Sequence, residues 1–92
     1  MPKTIWKAEI EPNSLKDDAY RIDIPARLGA RAISVASNPA GRVFVWFEVD
    51  PAEPVAELSV WCVGTGFGRV PDGLRFLGTV QQHGYVWHLY CE

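Results

Sequence analysis

"RVFVWFEV", residues Arg42 to Val49, decides the class of this fold. Val43, Val45, Phe47 and Val49 alternate with Phe44, Trp46 and Glu48, and a period of two sends successive side chains to opposite faces of a strand. β-branched and aromatic residues dominate both sets. The stretch is therefore expected as a central strand, or as one lying under a partner, because a strand apolar on both sides has two faces to cover.

The flanking sequence repeats the same period. In "KTIWKAEIE", Trp6, Ala8 and Ile10 alternate with Lys7, Glu9 and Glu11, and in "AYRIDIP", Tyr20, Ile22 and Ile24 alternate with Arg21 and Asp23. Between them, "EPNSLKDD" has the Pro, Asn and Asp of a turn-rich connection. Leu28-Gly29 marks a turn, "RAISVAS" a strand with Ile33 and Val35 on one face, and "NPAG" a short hairpin loop. Two prolines keep the middle of "DPAEPVAE" out of any regular strand. "LSVWCVG", "LRFLGTVQQ" and "YVWHLYCE" complete the series, the last two joined across His83-Gly84.

No window sustains helical periodicity, and turn signals recur every eight to twelve residues. The expectation is an all-β single domain over residues 1–92: an antiparallel β-sandwich or small open barrel of about seven short strands, with at most a helical turn in "PARLG" or "RVPDGL". A chain of 92 residues is too short for two cores, and its 48% hydrophobic composition supplies enough material for one.

Composition also limits function. The net charge of −2 argues against a general nucleic-acid binder, which uses a basic surface to displace counterions from phosphates. The charge is uneven, though: residues 1–47 carry seven Lys/Arg against five Asp/Glu, and residues 48–92 carry two against six. Arg21, Arg27, Arg31 and Arg42 face only Asp23 in their stretch, so a nucleic-acid accessory role through these arginines is the second hypothesis. Cys62 and Cys91 lie in apolar runs without CxxC spacing and are expected as reduced, buried thiols. No apolar stretch approaches the ~20 residues of a membrane span, and no signal-peptide core is apparent, so a soluble cytoplasmic protein is expected.

Taken together, "KTIWKAEI", "IPARLGARAISV" with "VFVWFEVDP", and "VGTG", "PDGLRFLGTVQ" and "VWHLYCE" resemble a family of short phage- and prophage-encoded proteins whose domain has no assigned function. The resemblance spans nearly the whole chain. It implies a small all-β protein of the bacterial cytoplasm and brings no catalytic or ligand residues with it.

Candidate chemistry is sparse. "VGTGFGRVPDG" supplies Gly64 and Gly66 of a dinucleotide turn, but Arg69 takes the third glycine position and no amphipathic helix follows to present its N-terminus to a phosphate. The loop is expected instead as a strand end relieved by glycine and followed by a Pro71-Asp72-Gly73 turn. His83, at a hairpin turn, and His88, on the polar face of a strand, lack the three or four convergent ligands zinc needs. Neither a cofactor nor a metal is expected. A small enzyme or ligand-binding barrel remains the third hypothesis, and it requires a concave pocket lined by His83, His88 or Arg69.

The aromatics carry the leading hypothesis. Four tryptophans are many for 92 residues, and Trp and Tyr anchor interfaces because they bury much area at low entropic cost. Trp61 falls on the face of "LSVWCV" opposite Leu58, Val60 and Cys62. It is a core residue if a second sheet covers that face and a contact residue if none does. The expected function is a non-enzymatic module that binds a protein partner or itself through an aromatic patch or strand edge, with Trp61, Trp46, Phe67, Arg69, Arg21, Arg27 and Arg31 as candidates.

Overall fold

The computed structural model describes residues 2–13, 19–66 and 68–92. Seven strands form: β1 (Thr4–Ile10), β2 (Tyr20–Arg27), β3 (Arg31–Ser37), β4 (Val43–Val49), β5 (Val55–Gly64), β6 (Arg75–Gln82) and β7 (Tyr85–Cys91). All pairings are antiparallel, in a three-stranded sheet ordered β1-β4-β3 and a four-stranded sheet ordered β2-β5-β7-β6. The two sheets make a sandwich with no closed barrel, and no helix occurs among the described residues. The helical turn allowed for "PARLG" is absent, because β2 runs on through Pro25 to Arg27. That is possible because β2 is an edge strand, where a missing N–H costs no ladder bond. The connection expected over "EPNSLKDD" lies largely outside the described residues, which omit 14–18.

The inner faces meet in one core. β4 contributes Val43, Val45, Phe47 and Val49, β5 contributes Leu58, Val60 and Cys62, and β7 contributes Trp87, Leu89 and Cys91. Cys62 and Cys91 are free and buried. Burial pushes the Cys62 thiol up to about 11 and raises that of Cys91, so neither is a thiolate nucleophile at neutral pH.

β3 departs from its expected phase. The residue between Ala32 and Ser34 is bulged, so Ala32 and Val35 turn inward while Ile33 is left 42% exposed. An extra residue in one strand reverses the alternation beyond it, which the period-two reading of "RAISVAS" did not include. β6 carries a matching irregularity between Phe76 and Gly78.

These two bulged strands line one side of the sandwich and pack against each other, whereas β1 and β2 on the other side barely touch. A guanidinium nitrogen of Arg75 donates to the Ala32 carbonyl across the seam. The bare backbone of Gly78 admits Val35, whose Cγ1 would sit 2.7 Å from any Cβ built there. The turns at the end of the seam also interlock. His83 and Gly84 both have positive φ, as a two-residue type I′ hairpin requires. The His83 ring lies on Gly41 of the β3–β4 loop, and Gln82 Nε2 donates to the Gly41 carbonyl at 2.8 Å.

Candidate functional site

The strand register builds a row across the outer face of the four-stranded sheet. Arg21 pairs with Trp61, Trp61 with Tyr90, and Tyr90 with Phe76. All four side chains point away from the core because their neighbours Ile22, Cys62, Leu89 and Cys91 point into or against it. Trp61 and Tyr90 are half-buried and Phe76 is 55% exposed. The Phe76 and Tyr90 rings meet edge to face, with centroids 5.5 Å apart. Trp61 is thus a surface residue and not a core one: the second sheet covers the opposite face of β5.

Polar groups fix the charged end of the row. Asp23 accepts hydrogen bonds from Ser59 Oγ at 2.6 Å and Arg21 Nε at 2.8 Å. The Ser59 hydroxyl first, and the guanidinium second, hold its carboxyl below the usual range; Asp23 in turn raises Arg21. Farther along the same face, His88 is committed to two hydroxyls, with Thr65 Oγ1 at 2.7 Å from Nε2 and Thr79 Oγ1 at 3.0 Å from Nδ1. Both ring nitrogens therefore have structural partners.

The remaining candidates are dispersed. Trp46 lies on the outer face of the other sheet, 6.2 Å from Phe44, whose ring carries the Lys7 ammonium 4.8 Å from its centroid. It cannot share a patch with Trp61. Arg27 donates to the Glu53 carbonyl at 3.3 Å, and Arg31 opens β3 opposite Glu48. These two arginines line one shallow cleft with Glu57 and Glu92. Arg42 pairs with Glu9 at 3.3 Å. Of the arginines that look clustered in sequence, only Arg27 and Arg31 share a cleft, while Arg21 and Arg42 pair with Asp23 and Glu9 elsewhere on the surface. Arg69 is exposed beside the glycine-rich loop, and Phe67 lies outside the described residues. In that loop Gly66 and Gly68 have positive φ, as does Gly73 in the following turn, so glycine here serves backbone geometry.

His83, His88 and Arg69 do not converge. His83 lines an open cleft of about 360 Å³ with Pro12, Asn13, Gln82, Tyr85 and Trp87, while His88 faces the other side of the sheet. Among the described residues, no group of three or more His, Cys, Asp or Glu side chains could hold a metal ion. No helix among them is long and apolar enough to cross a membrane. Sequence reasoning missed Tyr90 and Phe76, whose place beside Trp61 depends on the β5-β7-β6 register and on the bulge in β6.

No curated protein and no solved structure matches this chain. One family model does, over residues 1–92, and its description is a domain of unknown function, DUF7352. With the match running the full length of the sandwich, the chain belongs to the DUF7352 family.

Proposed function

We propose that this protein is a non-enzymatic interaction module that docks a protein partner on the outer face of its four-stranded sheet. The observation that carries this reading is the continuous row Arg21, Trp61, Tyr90 and Phe76, aromatic at its centre and not covered by a second sheet among the described residues. A flat aromatic row bordered by fixed charge suits a partner that brings an apolar anchor and an acidic rim, since rings supply area and Arg21 supplies orientation. The likeness of "KTIWKAEI", "VFVWFEVDP" and "VWHLYCE" to short phage- and prophage-encoded proteins supports a host factor of the bacterial cytoplasm as that partner. A second copy of this chain is the nearest variant.

The test is light-scattering mass over a concentration series, followed by affinity capture with the parent chain and with Trp61→Ala and Phe76→Ala. Loss of a truncated anchor weakens the complex about 30-fold, the equivalent of roughly 2 kcal/mol at an interface hot spot. A monomer whose captured partners are the same after both substitutions refutes the proposal.

A further inference from the structure

The edge of a β-sheet presents a row of unpaired N–H and C=O groups, and native folds blunt such rows with proline, bulges or a covering element. The two sheets have four edge strands, β1 and β3 in one and β2 and β6 in the other. β3 and β6 are both bulged and pack against each other. β2 carries Pro25. β1 has neither device: Thr4–Ile10 keeps one unbroken register with β4 and contains no proline. On its far side it has no strand partner among the described residues and barely touches β2.

Its charges decide what fits that edge. The outer face of β1 carries Ile5, Lys7 and Glu9, all exposed, while half-buried Trp6 and Ala8 and buried Ile10 turn inward. A second β1, related by a two-fold axis perpendicular to the sheet, would pair antiparallel with outer residues against outer. Full overlap is centred on Lys7 and sets it against the partner's Lys7, and like charges directly opposite each other are destabilising. Centred on Glu9, carboxylate meets carboxylate. Centred on Trp6, Lys7 meets the partner's Ile5. Only a centre at Ala8 matches the charges, with Lys7 against the partner's Glu9 and Glu9 against the partner's Lys7. Trp6 then stands beside the partner's Ile10 on the inner face. Within one chain Lys7 lies 4.8 Å from the Phe44 ring centroid and Glu9 lies 3.3 Å from Arg42. These are surface contacts of solvated side chains, weak and quickly exchanged.

We propose that two copies of this chain join edge to edge through β1, antiparallel and centred on Ala8, with reciprocal Lys7–Glu9 pairs fixing the register. The two three-stranded sheets then run on as one sheet. The strands overlap over residues 6–10, so the interface is small and the dimer is weak and concentration-dependent. The contact is separate from the aromatic row, which lies on the outer face of the other sheet.

The experiment is light-scattering mass over a concentration series for the parent chain, for Lys7→Glu, for Glu9→Lys and for the two variants mixed. Each variant alone sets like charges opposite each other twice and weakens the dimer about tenfold. The mixture pairs opposite charges at both points and recovers the parent mass. Both positions are exposed, and the double variant, with Lys7→Glu and Glu9→Lys in one chain, keeps the parent mass as well. Amide hydrogen exchange gives a second reading: at high concentration alternate residues of β1 gain protection, because alternate N–H groups face the free edge. Trp61→Ala, which tests the aromatic row, leaves both readings unchanged. A chain that is monomeric throughout refutes this contact and leaves the aromatic row standing. A dimer whose mass ignores both charge reversals, or β1 amides that gain protection only with a captured partner bound, also overturns the inference.

Discussion

Trp87 and Trp61 occupy opposite faces of one four-stranded sheet. The first is packed with Val80 and Leu89 in the core, and the second stands outside between Arg21 and Tyr90. β4 repeats the contrast with Phe47 inside and Phe44 outside. One residue type thus does two jobs, set only by which side of the pleat it occupies. Inside, its area is spent on folding; outside, it stays available to a partner. The strongest test is Phe47→Ala, which empties a fully packed site and costs about 3–5 kcal/mol, against less than about 1.5 kcal/mol for Phe44→Ala. Denaturant unfolding measures both, and equal losses would break the division between the faces.

The next effect tests what holds the faces in place. Gly41 has φ of 81°, and any side chain there would run into the His83 ring. Gly41→Ala therefore combines backbone strain with a collision and costs about 1–3 kcal/mol in thermal unfolding. Adding His83→Ala removes the collision but not the strain, so the double variant recovers part of the loss. Full additivity would show that the interlocked turns do not fasten the two sheets together.

How legible this arrangement was depends on the range of the interactions involved. Alternation in β1 and β4 is local, and Val43, Val45, Phe47 and Val49, which the sequence groups on one face of β4, are together the buried set. The Asn38 to Gly41 loop was equally plain, because Asn38 Oδ1 accepts from the amides of Ala40 and Arg42 within the loop itself. Ile33 was misplaced because a bulge is decided by the partner strand and leaves no mark on periodicity. The aromatic row was seen only as Trp61, since Tyr90 joins it by pairing with Trp61, 29 positions away, and Phe76 by pairing with Tyr90, 14 positions away. The arginines show the converse: close in sequence, they divide between the two ends of β2 for Arg21 and Arg27, the start of β3 for Arg31 and the residue before β4 for Arg42.

Trp61→Ala sharpens the contrast from the outer side. Half-buried and outside the core, Trp61 contributes to stability by less than about 1.5 kcal/mol, so the variant stays folded in denaturant unfolding and any loss in the capture experiment proposed above reads the outer face alone. Thiol reactivity gives the matching inner-side readout. Cys62 and Cys91 resist a disulfide reagent in the native protein and react once denaturant opens the core, because only then does either thiol reach solvent and ionise. Prompt labelling of the native protein would mean the inner face is less sealed than its packing implies.

The smallest effect belongs to the polar border of the outer face. Asp23 is exposed, and its carboxyl is held low by the Ser59 hydroxyl and by Arg21. A folded value below the unfolded one makes a contribution that is complete above the unfolded carboxylate range, near pH 4, and is lost as pH falls through the folded value. The melting temperature of the parent chain should therefore drop slightly more below pH 4 than that of Asp23→Asn, and added salt should shrink the difference, since exposed charges are screened. If the two acid profiles coincide at low salt, the Arg21–Asp23–Ser59 group adds nothing to folding. Its effect would then be to hold one guanidinium beside the aromatic row, and the outer face would differ from the inner one in its polar contacts as well as in its rings.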